Sequence, residues 1–227
     1  MRTRCDQRSF ADRLRVALAD TTEFEPAVAV IRNYMRGFDG AAFNAYAADP
    51  KDAYWITPAD LVAVTFLSME IRRGSTSGFT PKMARGIETN ADRISELLVA
   101  IPPYRELQTV TADEYARWLG EGSHADRLWR LLRDELNLPR VATYKLLARK
   151  RPHLLPIRDS AADRALGKPD SWWHSWWETL TTNTDIVKRL ECLRRDSGHA
   201  ELSLLRSADI VVWMRYRPTG DARSTGM

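Results

Sequence analysis

The chain has 227 residues, of which 44% are hydrophobic and 28% are charged. This length and composition suffice for a hydrophobic core without disulfides or metals, and they exclude a disordered protein. The net charge is +4 and the pI about 9.2, a mild basic excess. Cys5 and Cys192 do not form a disulfide framework, so free thiols in a reducing cytoplasm are expected.

The N-terminal residues are polar and hold no apolar stretch typical of a signal peptide. The longest apolar run, residues 61–69, is far shorter than the roughly 20 residues that a membrane-spanning helix needs. We therefore expect a cytoplasmic protein that does not enter a membrane.

Apolar residues recur at helical spacing along most of the chain. Phe10, Leu14 and Leu18 follow one another at every fourth position and predict the first helix. Thr57 and Pro58 are an N-cap and a first helical residue, and they open a helix over 61–71 that is apolar nearly all round. An apolar helix of this kind is expected at the centre of the fold.

Capping residues and apolar spacing predict the other helices. These are residues 27–35, a helix capped by Thr89 or Asn90, helices opened by Thr111 and by Ser123, residues 141–150, a short helix capped by Asp159 or Ser160 and ending at Gly167, and residues 171–180, 186–195 and 203–216. Residues 72–78 are predicted to be a loop. No alternating β pattern persists, so we predict an all-α fold of about nine to eleven helices, in one domain over 1–216 or in two helical lobes, followed by a disordered polar tail at 217–227.

Four tryptophans lie on one side of the predicted helix 171–180. Trp172, Trp173, Trp176 and Trp177 fall with Leu180 within an arc of roughly 140°. An exposed aromatic face of this kind stacks nucleobases or binds a partner helix, whereas a buried one is part of the core. The partition of apolar and polar residues favours core, with one indole exposed.

The sequence lacks several common catalytic motifs. The four histidines do not pair with other ligands at metal-binding spacing, and there is no glycine-rich phosphate loop or nucleophile elbow. We therefore expect no metal and no cofactor. Asp209 lies within an apolar helix and is expected to pair with Arg206 or with a cation from elsewhere in the fold.

Positive charge is concentrated between residues 140 and 158. This segment contains no acid and carries +6, so the rest of the chain is slightly acidic. Its cations are either a solvated helix end, which favours positive charge, or a binding surface for a polyanion such as DNA or RNA. The predicted nucleic-acid-binding residues are Arg140, Lys145, Arg149, Lys150, Arg151 and Arg158.

The same segment carries two resemblances. Residues 145–152 (KLLARKRP) and 155–159 (LPIRD), with 58–67 and 204–214, resemble an uncharacterised actinobacterial family of small helical proteins. More weakly, residues 137–159 are similar to the helix-hairpin-helix DNA glycosylases. Residues 137–139 take the position of the hairpin, without its two glycines, and Val141 stands where bifunctional members carry a lysine nucleophile.

The glycosylase resemblance implies a role for Asp159. In those enzymes an aspartate about 20 residues after the hairpin stabilises a cationic sugar or activates water while a flipped base leaves. The alternative role of Asp159 is an N-cap. Two functions therefore stay open: a nucleic-acid-binding relative of these glycosylases, and a non-enzymatic helical protein-protein interaction module with a basic surface.

Overall fold

The computed structural model describes residues 8–67 and 79–217, and within these ranges it contains helices and no strand. The all-α prediction is confirmed, although twelve α-helices are found in the described ranges instead of nine to eleven. They are α1 (Phe10–Leu18), α2 (Ala27–Gly37), α3 (Pro58–Thr65), α4 (Pro81–Thr89), α5 (Ala91–Val99), α6 (Ala112–Trp118), α7 (His124–Arg130), α8 (Arg140–Lys150), α9 (Ser160–Leu166), α10 (Trp172–Thr182), α11 (Thr184–Ser197) and α12 (Leu204–Tyr216). Shorter turns are the 3₁₀ segments Asp39–Phe43, Pro50–Tyr54 and Leu107–Thr109 and a π-helical turn at Leu131–Glu135.

Helix starts follow the capping residues of the sequence closely. Thr57 and Thr111 each form a capping box, and Ser123 accepts a hydrogen bond from the third residue of α7. Helix α4 was not predicted, although Thr80 caps it and Pro81 is its first residue. The predicted loop 72–78 and the end of the helix predicted over 61–71 lie outside the described residues.

The core is centred on α12, which packs against α1, α2, α9 and α11. Most residues of this helix are buried, including the polar Arg206 and Ser207. Arg217, at the start of the predicted tail, places its guanidinium over the rings of Phe38 and Trp213, and residues 218–227 lie outside the described residues.

The tryptophan face of α10 belongs to the core, as predicted. Trp172 and Trp176 are buried and contact the ring of Phe10 edge-on at 5.6 and 5.5 Å between centroids. Trp173 and Trp177 are half-buried, and the indole N–H of Trp177 donates to the carbonyl of Val110 at 2.9 Å. None of the four tryptophan side chains is exposed, so the prediction that one indole is exposed is wrong.

Candidate active site

The prediction that the cations of residues 140–158 form an exposed binding surface is wrong. Arg140 is exposed, but the other five predicted nucleic-acid-binding cations are buried in the fold: Lys145, Arg149, Lys150, Arg151 and Arg158. A buried cation cannot contact a phosphate backbone, so the sequence argument for a polyanion at this segment loses its basis. Binding of DNA or RNA by the protein stays a prediction.

Arg151 shows why these cations are inside. Its side chain is 0% exposed, and its Nε donates to the carbonyl of Ile101 at 2.8 Å. One terminal nitrogen donates to Ala53 and Lys150 at 2.8 and 2.7 Å, and the other donates to Leu98. The carbonyls of Leu98 and Lys150 lie in the last turns of α5 and α8, and that of Ala53 lies near the end of the 3₁₀ segment Pro50–Tyr54. Carbonyls in a last turn have no partner within their own helix. Arg151 therefore closes the ends of α5 and α8 together, and burial lowers its pKa to about 10.

Arg149 binds the segment between the first two 3₁₀ turns. Its terminal nitrogens donate to the carbonyls of Phe43, Asn44 and Tyr46 at 2.5–2.6 Å, and its Nε donates to Asp60 at 3.1 Å. The geometry uses the planar fork of the guanidinium, which reaches several acceptors at once. Its role is to hold backbone in place.

Lys150 shares the carboxylate of Asp60 with Arg149. Its Nζ lies 2.9 Å from Oδ2 of Asp60, and both side chains are 5% exposed. Asp60 also accepts from the N–H and hydroxyl of Thr57 in the capping box of α3. Asp60 thus pairs with two cations of α8, Arg149 and Lys150, which lie 89 and 90 residues further along the chain.

Arg158 and Arg140 complete the segment. Arg158 pairs with Asp163 at 2.7 Å and lies over the ring of Trp172, 4.9 Å from its centroid. Arg140 lies over the ring of Tyr144 at 5.8 Å. The structure describes every residue of this segment. Arg140 is its one exposed cation.

A second group of ionisable side chains meets at the centre of the molecule. This central cluster is contributed by three helices and one N-cap: Tyr34 of α2, Lys145 of α8, Asp159 before α9, and Arg206 and Asp209 of α12. Arg206 pairs with Asp209, as the sequence predicted, and also donates to the Tyr34 hydroxyl and the Gly40 carbonyl at 2.8 Å each. A side chain at Gly40 would collide with the Tyr34 hydroxyl, so a glycine is needed there.

Charges in the central cluster perturb one another. Burial and the neighbouring carboxylate of Asp159 raise the pKa of Asp209, Arg206 and Lys145 lower it, and the net value is about 6. Burial lowers the pKa of Lys145 to about 8, opposed by Asp159 and Asp209. Lys145 also donates to the carbonyl of Leu67. An aspartate and a lysine that both titrate near neutral pH are typical of sites that transfer protons.

Asp159 precedes the first residue of α9, where the sequence predicts an N-cap. One carboxylate oxygen, Oδ1, accepts hydrogen bonds from the N–H groups of Ala161 and Ala162, both at 2.9 Å, so the N-cap prediction is confirmed. The side chain is half-buried and is within electrostatic reach of Lys145 and Asp209. The N-terminus of α9 stabilises its negative charge. Capping engages one carboxylate oxygen, Oδ1.

A small cavity opens beside Asp209. Its volume is about 10 Å³, and Arg206, Asn44, Pro152 and Ile157 also line it. This is about the space that one water molecule needs, and the ion pair supplies polar partners for it. Asn44 and Pro152 also line a larger cavity of about 260 Å³, so the two spaces are neighbours.

The predicted hairpin position is a tight turn between two helices. The π-helical turn after α7 ends at Glu135, and α8 begins at Arg140. Asn137 adopts a left-handed backbone with φ of 57°, and the N–H of Leu138 donates to the Leu132 carbonyl at 3.0 Å. Asparagine tolerates this conformation better than most residues, which is why a turn without glycine forms here.

Metal and membrane sites are not found in the part of the chain that the structure describes. No group of three or more His, Cys, Asp or Glu residues there is arranged to hold a metal ion. No helix there is both long and apolar enough to cross a bilayer.

One contact of the central cluster, between Tyr34 and Arg206, carries no signal in the sequence. Tyr34 and Arg206 are 172 positions apart, and nothing in either local pattern indicates that they meet. Lys145 was predicted as a phosphate ligand because of its charge alone. The useful signal was Asp209, an acid within an apolar helix, since such a residue needs a buried partner.

Asp209 should make stability depend on pH. Its folded-state pKa of about 6 lies above the ordinary value of 3.8, so the native state holds this proton more tightly than the unfolded chain does. That contribution is fully present below about pH 4 and is lost as the pH rises through about 6. We expect Asp209→Asn, which cannot ionise, to gain on the order of 3 kcal/mol relative to the wild type between those limits.

The measurement is urea unfolding of both proteins across this pH range. The quantity compared is the difference between their free energies of unfolding at each pH, which removes contributions from other groups. A difference that stays constant from pH about 4 to about 7 would show that the carboxyl of Asp209 is not perturbed in the fold.

The fold and the site define an all-helical protein with a cluster of ionisable side chains buried at its centre. Residues 27–216 match a family of unknown function, DUF6308, and the chain belongs to this family. No curated protein matches the chain. No solved structure matches it either.

Proposed function

We propose that the protein is an enzyme that hydrolyses an N-glycosidic bond, with the central cluster as its reaction centre. The observation that carries the proposal is that two aspartates and a lysine, Asp159, Asp209 and Lys145, lie within electrostatic reach of one another, and that Asp209 lines a water-sized cavity. Their environments differ: Asp159 lies at a helix N-terminus, whereas Asp209 is buried with a raised pKa. Pairs of carboxyl groups in unlike environments divide the roles of acid and base between them.

The chemistry assigns a role to each side chain. Asp159 stabilises the positive charge that develops on the sugar as the bond to the base breaks, or takes a proton from the attacking water. The water oxygen forms a bond to the anomeric carbon, one water proton leaves to the enzyme, and the departing nitrogen gains a proton. Asp209, protonated at mildly acidic pH, is placed to supply that proton, and Arg206 positions it.

A base carried on DNA is the substrate that the glycosylase resemblance suggests. The hairpin position is a tight turn, and Asp159 follows it by the expected distance along the chain. Apart from Lys145, the buried cations of 140–158 have no part in this proposal. Exposed Arg140, at the start of α8 beside the turn, is the residue of that segment that remains available for a phosphate.

The test is release of free base from duplex and single-stranded DNA carrying uracil, hypoxanthine, 8-oxoguanine or alkylated purines. We expect Asp159→Asn to lower the rate at least 100-fold, in line with the effect of removing a positioned acid or base. The free energy of unfolding should change by no more than about 1–2 kcal/mol, since an asparagine still caps α9.

Asp92→Asn is the matched control. Asp92 is an exposed acid in the first turn of α5, so its substitution removes the same charge far from the central cluster. Equal rates for the wild type and both variants, or no base release from any of these substrates by the wild type, would refute the proposal.

An interaction module is the second candidate. Its predicted basic surface is absent because the cations are buried, but exposed aromatic side chains are present, of which Trp55 and Tyr104 are the most exposed, at 44% and 68%. Exposed aromatics of this size are enriched in protein interfaces. This candidate gains support if base release fails and Trp55→Ala with Tyr104→Ala abolishes self-association in analytical ultracentrifugation.

A further inference from the structure

A cavity of about 260 Å³ neighbours the small cavity beside Asp209 and is lined by no residue of the central cluster. We call it the Lys150 cavity: Asp60, Arg149 and Lys150 line its base, and residues 47–50, 52–53 and 103–104 line its sides. Its size is close to the lower end of small-molecule pockets, about 300–1,000 Å³. Such a volume holds a molecule of the size of an amino acid.

The base of the Lys150 cavity has an unbalanced positive charge. Arg149 and Lys150 share a single buried carboxylate, that of Asp60. Arg149 is held by four acceptors, whereas Lys150 donates one hydrogen bond, to Asp60. An ammonium group has three N–H donors, so two remain for a ligand. An excess buried cation is costly unless an anion approaches it.

Two carboxylates at the sides of the cavity have the opposite charge. Asp49 is exposed and caps the 3₁₀ turn Pro50–Tyr54, and Asp52 is half-buried within electrostatic reach of Lys150. These two acids repel a polyanion, so the cavity does not suit nucleic acid. A ligand with an anionic end and a cationic end satisfies both regions.

The remaining lining is largely apolar. Pro50, Pro103 and the exposed ring of Tyr104 form flat walls, and a body of carbon atoms can lie between them. His153 is half-buried near Glu106, and burial lowers its pKa, so its ring is neutral at pH 7 and offers a hydrogen bond without charge. Ala47 has a left-handed φ of 44°, a strained conformation that clusters at ligand sites.

We propose that the Lys150 cavity binds a small zwitterion of the amino-acid class, with its carboxylate on Lys150 and its ammonium group between Asp49 and Asp52. The proposal does not depend on the N-glycosidase proposal, since the two sites use different residues. An amino acid bound here is a ligand that the protein senses or carries, or a substrate for chemistry that begins with its recognition.

The experiment measures binding of each common L-amino acid at millimolar concentration, first by thermal shift and then by titration calorimetry. We expect at least one to raise the melting temperature and to bind saturably. For that amino acid, the analogue without the ammonium group and the analogue without the carboxylate should each bind at least tenfold more weakly. No stabilisation by any of them, or equal affinity for all three compounds, would overturn the proposal.

Two variants assign the binding to the cavity. Asp52→Asn removes a carboxylate that lines the cavity and forms no ion pair with any other described residue, and it should weaken the amino acid at least fivefold without weakening its deaminated analogue. Asp92→Asn, on α5, should change neither affinity. An affinity for the amino acid that is the same in Asp52→Asn and the wild type would show that the site lies elsewhere, which contradicts the proposal.

Discussion

Replacing Arg151 with methionine is expected to lower the free energy of unfolding by about 3–5 kcal/mol. Methionine retains an unbranched apolar stem in the same space, so the loss comes mainly from hydrogen bonds. The carbonyls of Ile101, Ala53 and Lys150 would then lose the donor that Arg151 supplies, while the carbonyl of Leu98 keeps the N–H of Ile101. A buried acceptor without a donor costs about 1–3 kcal/mol, and relaxation around the smaller side chain recovers part of the sum.

Arg140→Met is the control for this prediction. It removes the same charge from the same segment at an exposed position, where a change within about 0.5 kcal/mol is expected. Arg151→Lys should also be destabilised, because an ammonium group cannot reach carbonyls on two helices as the fork does. Urea unfolding measures all three. If Arg151→Met were as stable as Arg140→Met, the buried position of Arg151 would be wrong.

The helices could be predicted because their signals are local. Thr57, Thr111 and Ser123 each bond to an N–H three residues later, so the pattern and the structure concern the same few atoms. The same is true of the N-cap role of Asp159 and of the pairing of Arg206 with Asp209, one helical turn apart. At each of these positions the prediction made from neighbouring residues is confirmed.

The position of the basic segment could not be predicted in the same way. A run of cations without acids is usually solvated, and the partners of these cations are distant in the sequence. Lys150 finds its carboxylate at Asp60, and Arg151 finds its acceptors on backbone carbonyls, which every residue has. No pattern of residue types marks a helix end that lacks a partner. The sequence predicts the positive charge of this segment, but the burial of its cations depends on tertiary contacts.

Arg215 shows that the same device recurs in the fold. It donates to the carbonyls of Ala17 and Ala19 at the end of α1 and to that of Glu25. Arg189 likewise donates to Leu18. A helical protein with many short helices has many C-terminal carbonyls to satisfy, and arginines from other helices do so here. Much of the mild basic excess therefore serves the fold.

Asp60→Asn is the change expected to test this arrangement most directly, with a loss of about 3–5 kcal/mol. The substitution keeps the shape of the side chain but removes the carboxylate that Arg149 and Lys150 share, and each cation is then buried without a counter-charge. The amide would also direct an NH₂ group toward one of three donors: Thr57, Arg149 or Lys150.

The double variant Asp60→Asn with Lys150→Met separates charge from packing. If an unpaired cation causes the loss, removing Lys150 as well should recover about 0.5–3 kcal/mol relative to the sum of the two single changes, which a double-mutant cycle measures by urea unfolding. Strictly additive effects would show that Asp60 acts only through the capping box of α3. The coupling energy thus reports how much of the charge at the base of the Lys150 cavity is held in place by this one carboxylate, and how much is left for a ligand.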